Sequence, residues 1–144
     1  MDPRNTSNAP AYGVALLRVS LGIMWIAHAL LKLLVFTLPG TTAYFASVGL
    51  PCLLAYPVFA IELVGGAALI LGVYARQASL ALVPIMAGAA LVHFPNGWAH
   101  TSPNGGWEYP VFLIVVSVAL WLLGDGALAL RRSTWLAPVQ LRSA

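Results

Sequence analysis

Four long apolar stretches, separated by Pro and Gly breakers, dominate the 144-residue chain. They run at about residues 11–36, 57–74, 78–94 and 109–130, and Leu38-Pro39-Gly40 and Pro95-Asn96-Gly97 mark two of the breaks. At about 1.5 Å per residue, each stretch has roughly the length needed to cross a hydrocarbon layer of about 30 Å. Charged residues are only 8% of the chain and apolar residues 60%. An ordinary soluble domain carries about 25% charge, so a soluble monomer and a disordered chain are both excluded. The expected fold class is all-α: a polytopic membrane protein forming a four-transmembrane-helix bundle, with residues 1–144 as a single membrane domain. Residues 41–50, TTAYFASVGL, predict a short interfacial helix in the first outer loop, and Pro84 predicts a kink in the third span. Ala27-His28-Ala29 resembles a signal-cleavage site, but the apolar run continues past it to Phe36, which favours a retained span.

Basic residues set the expected orientation. Arg4 precedes the first span, Arg76 lies between the second and third, and Arg131, Arg132 and Arg142 follow the fourth. The loops at about 37–56 and 95–107 carry no Asp, Glu, Lys or Arg. The positive-inside rule then puts both termini in the cytoplasm of a bacterial inner membrane and the two longer loops outside. Trp98, Trp107 and Tyr109 suit the outer aromatic belt, and Tyr12 and Trp135 the inner one. The net charge of +3 is spread along the chain, so no nucleic-acid partner is expected. The single cysteine, Cys52, excludes an internal disulfide, a C-x-x-C pair and an iron–sulfur cluster. It reads as a small buried loop residue. Gly65-Gly66-Ala67-Ala68 and Ala87-Gly88-Ala89-Ala90 predict close helix approach.

Ionisable groups inside hydrocarbon are candidates for function because they are expensive to keep there. His28 and Lys32 share one helix face at i and i+4, about 12 Å and 6 Å below the outer end of the first span. Glu62 lies about 7 Å below the outer end of the second, His93 ends the third and Glu108 begins the fourth. A layer of His28, Lys32, Glu62 and His93 in the outer half follows from these depths. Deeper in, Arg18 and Asp125 are expected to form a structural ion pair. Arg76 reads as a topology anchor, Glu108 as a carboxylate at a helix N-terminus, and His100 as a solvated loop residue.

Three chemistries fit such a layer. His28, Lys32 and Glu62, with Trp25 and Trp107 nearby, suit a quinone reached from the bilayer. A metal held by His28, Glu62 and His93 is disfavoured, as is a bis-His haem, because the histidines differ in depth by about 10 Å. No metal, haem or flavin is therefore expected. A proton or small-solute path through Glu62 is the third, and a non-enzymatic scaffold remains an alternative.

In order, the segments LLRVSLGIMWIAHALLKLLVF, FASVGLP, AIELVGGAALILGVYAR, MAGAALVHF, GGWEYP and GDG resemble the DoxX family of small four-span bacterial membrane proteins. The likeness covers about residues 14–130 and rests chiefly on the Arg18, His28 and Lys32 spacing and on Glu62 with the glycines and Arg76 after it. It departs after the fourth span, where GDGALALRR stands in place of a glycine-rich exit ending in Ser-Leu-Asp. The resemblance implies a redox-linked membrane subunit, associated with quinone-linked respiratory or sulfur-oxidising complexes or with thiol-stress systems. The combined expectation is a quinone-interacting subunit that links a partner oxidoreductase to the membrane quinone pool. His28, Lys32 and Glu62 would be its reacting groups, with His93, Trp25 and Trp107 also on the ligand. A soluble or membrane redox partner and self-association are further expectations.

Overall fold

The computed structural model describes residues 8–135, so Arg4 and Arg142, used for orientation, lie outside the described residues. Helix α1 spans Ala9–Leu30 and continues as one wide π-type turn, Leu31–Val35, closed by the Phe36 N–H to the Leu31 carbonyl. Thr37 caps the next helix, α2 (Leu38–Ser47), by accepting a hydrogen bond from the Gly40 N–H at 3.2 Å. This is the expected interfacial helix, begun three residues earlier and stopped before Gly49, where the backbone turns left-handed. A short 3-10 turn, Cys52–Leu54, leads into α3 (Ala55–Leu71). Gly72 ends α3 in the left-handed conformation at φ 67°, a position that favours glycine. Helix α4 (Ala75–His93) runs through Pro84 and is followed by a 3-10 turn, Phe94–Asn96. Helix α5 is Glu108–Leu123.

The first three spans agree with expectation to within a few residues, but the fourth does not. Sixteen residues give about 24 Å, short of a full hydrocarbon crossing. The predicted end at Leu130 fails at Gly124, and apolar Ala127, Leu128 and Leu130 extended the hydropathy signal beyond the helix. Instead the chain folds back across the bundle as a strap over residues 124–133. Its backbone groups find partners there: Ala127 N–H bonds the Ala11 carbonyl, Leu130 N–H bonds Leu71, and Arg131 bonds Gly72 and Tyr74. Irregular backbone near lipid needs such partners.

Helix α1 packs along α3 and α4 along α5, with α3 against α4 and a thinner α1–α5 seam closing the ring. The core holds Leu21, Trp25, Leu69, Leu82, Met86, Leu113 and Leu120. Leu16, Leu34, Val64, Leu91, Phe112 and Leu122 stand exposed around the outside, an apolar girdle suited to lipid. Glycines explain the tightest crossing. A methyl group at Gly22 would come 2.7 Å from the Gly66 carbonyl oxygen, so α1 and α3 meet backbone to backbone. Gly65 faces the other way, against Leu82 of α4. In the second small-residue segment Gly88 borders the cavity, with nothing within 4 Å of where its Cβ would be, while Ala89 packs against the core.

The expected Arg18–Asp125 ion pair is replaced by two separate uses. Arg18 is 1% exposed and donates from Nη1 to the Leu69 and Ile70 carbonyls at 2.8 and 3.2 Å, and from Nη2 to Ala127 at 3.1 Å. It therefore satisfies the open end of α3 and ties the strap to it. Asp125 accepts the Ser133 N–H and hydroxyl at 2.8 and 2.6 Å. Matching depth is not matching geometry: the last carbonyls of α3 lie nearer the guanidinium than the carboxylate does.

Candidate functional site

Near the end of the bundle that carries Lys32 and His93, the helices enclose a cavity of about 1220 Å³. Helices α1, α3, α4 and α5 supply its walls, and α2 and the 97–106 loop supply its mouth. Its most buried polar feature is an ion pair. Lys32 Nζ donates to both carboxylate oxygens of Glu62, at 2.9 and 2.8 Å. Glu62 is 1% exposed, and Lys32 approaches it from the π-type turn that ends the first span. Such turns widen a helix locally and recur at functional sites.

His28 lies one turn deeper on the same face and also lines the cavity. Its Nδ1 is 2.7 Å from the Met24 carbonyl, which can only accept, so Nδ1 carries the proton. The ring is stacked on Tyr109 at 5.9 Å between centroids and 22° between planes. The Tyr109 hydroxyl is buried without a hydrogen-bond partner.

His93 lines the same wall, with its Nδ1 3.4 Å from the Asn96 amide. Beyond it, the 97–106 loop closes as a hairpin: Trp107 N–H bonds Gly97 and Glu108 N–H bonds Trp98. His100 is not merely solvated, because its backbone N–H and its Nδ1 both meet Glu108, at 2.8 and 2.7 Å. A smaller cavity of about 450 Å³ lies beneath α2 and shares His28, Lys32 and His93 with the first.

The structure thus brings His28, Lys32, Glu62 and His93 to one cavity, although the depth estimate set the two histidines well apart. Two expected members stand elsewhere. Trp25 is 1% exposed and packs in the core, because the face of α1 that holds it points at the bundle centre. Trp107 meets Trp98 edge-on and Phe94 at a tilt in the loop, with ring centroids at 4.4 and 5.6 Å, and does not line the cavity. Cys52 is exposed rather than buried. Among the described residues, no three His, Cys, Asp or Glu side chains group as a metal site would need.

A family model for DoxX matches residues 13–95, more than half of the chain. The chain belongs to the DoxX family. A curated relative from Bacillus subtilis (strain 168), named "Putative oxidoreductase CatD", is 34% identical over 118 residues, covering 82% of this chain and 84% of its own. No solved structure gives a significant match. The DoxX match takes in His28, Lys32, Glu62 and His93, whereas Glu108 and Tyr109 lie beyond it. Tyr109 is a cavity residue that sequence reasoning missed. An aromatic at a span entrance reads as a belt anchor, and its i+1 position after Glu108 gave no sign that it turns inward.

Proposed function

We propose that this DoxX-family membrane protein binds a membrane quinone in the larger cavity, as a subunit linking a partner oxidoreductase to the quinone pool. The observation that carries this reading is the Lys32–Glu62 pair, with Glu62 buried, on the wall of a largely apolar cavity. Several features fit an isoprenoid quinone. The volume of about 1220 Å³ exceeds that of most small-molecule pockets, leaving room for a ring with a tail. Leu54, Ile61, Phe112 and Val115 line the cavity and are also exposed on the lipid-facing surface, which gives a tail an apolar way in. The name of the Bacillus subtilis relative supports a redox setting.

A bound quinone supplies two-electron carrier chemistry, with protons taken up or released at its ring oxygens. The chain supplies the groups that serve those oxygens. Lys32 gives two of its three N–H groups to Glu62, which leaves one to donate to a ring oxygen. Glu62 keeps lone pairs beyond those that Lys32 takes and exchanges the proton. His93 and Asn96 stand at the mouth. We place both termini in the cytoplasm and this cavity in the outer half of an inner membrane, on the charge asymmetry of the loops.

Mass spectrometry of the organic extract tests the reading, with wild type and Glu62→Gln purified identically in native lipid discs. Near-stoichiometric quinone in the wild type, depleted in the variant, is the expected result. Equal lipid-like traces in both overturn it.

A further inference from the structure

A neutral imidazole has one donor and one acceptor nitrogen, and the other ring contacts decide which is which. At His28 the donor is already committed: Nδ1–H points back along α1 to the Met24 carbonyl at 2.7 Å. Nε2 is therefore an acceptor, on the ring edge turned away from its own helix. Tyr109 does not take it, since the Tyr109 hydroxyl has no partner and meets His28 face to face. No other hydrogen bond reaches Nε2 among the described residues.

The free polar capacity of the cavity is thus divided. Lys32 offers a donor, and His28 only an acceptor. An oxidised quinone ring has acceptors alone, so a ring oxygen at Nε2 would set two lone pairs against each other. A hydroquinone brings O–H groups, and one of them satisfies Nε2 directly.

We propose that His28 makes this cavity selective for the reduced, hydroxyl-bearing form of the ring, by accepting a hydrogen bond from its O–H at Nε2. The proposal rests on the quinone reading above and goes further by naming the oxidation state that the site prefers. A ring oxygen that covers this acceptor without donating to it weakens binding by about tenfold, which sets the expected size of the preference.

The test measures binding of a short-tailed benzoquinone and of its hydroquinone, anaerobically, to the full chain in lipid nanodiscs by titration calorimetry. Wild type is compared with His28→Phe, which keeps an aromatic ring for the stack on Tyr109 and lacks the nitrogen. The expected result is hydroquinone binding about tenfold tighter in the wild type, with the ratio falling to within about twofold in His28→Phe. Equal affinities in the wild type, or tighter binding of the quinone, overturn the selectivity while leaving a quinone site standing. A preference that persists in His28→Phe removes His28 from the role. Failure of both forms to bind overturns the quinone reading together with this one. The wild-type ratio carries the test by itself if the variant does not fold.

Discussion

Lys32 and Glu62 depend on each other more than either depends on water. Glu62 is almost wholly enclosed, and both its oxygens are occupied by one ammonium. Removing the cation leaves a buried carboxylate unpaired, the costly half of breaking a buried pair, at roughly 3 kcal/mol. Lys32→Met is therefore expected to lower the thermal unfolding midpoint clearly, and Lys32→Met with Glu62→Gln to recover most of the loss. A double variant no more stable than the single one would show that the pair is not the source of the effect. Both residues were legible in the sequence, because a charge in an apolar span is conspicuous and depth follows from counting. Tyr109 was not, since aromatic side chains belong equally well to an interface, a core or a cavity. Trp25 failed for a related reason. Proximity to His28 along the helix did not say which way its own face turned.

Helix stops were read well where Pro marked them, as at Pro39 and Pro95, whereas the second span was carried to residue 74, past the Gly72 turn that ends α3. The end of α5 was misread because hydropathy continues through Ala127, Leu128 and Leu130, and hydropathy does not distinguish a helix from an apolar strap. The strap also explains Arg18. Its three hydrogen bonds join the last carbonyls of α3 to Ala127, so a single side chain holds two elements that are far apart in sequence. Arg18→Met is expected to free the strap, leaving the carbonyls of Leu69, Ile70 and Ala127 without their cation. Limited trypsin digestion in detergent reads this out as faster cleavage after Arg131 and Arg132 than in the wild type. An unchanged cleavage rate would mean that the backbone bonds to Ala11, Leu71, Gly72 and Tyr74 suffice to hold it.

Across the whole molecule the two ends are unlike. The end with Arg76 and Arg131 is closed by the Gly72 turn, the strap and the cation of Arg131 over the Tyr74 ring at 5.1 Å. The other end is hollow. Cys52, the single cysteine, is exposed beside the hollow end and serves as a built-in topology marker. A maleimide that cannot cross membranes is expected to label it in intact spheroplasts. Labelling only after the membrane is opened would reverse the orientation proposed above.

The exposed side chains that line the hollow have a thermodynamic corollary. A hydrocarbon tail that slides past Ile61, Phe112 and Val115 leaves one oily medium for another, and displaces an acyl chain as it does so. Little water is released, so almost no hydrophobic driving force is available. Affinity should then be nearly flat with tail length and should shift with the lipid or detergent that competes for the same space. On the proposed reading, a guest would be held in place by its ring, through the few polar contacts offered at Lys32, Glu62 and His28.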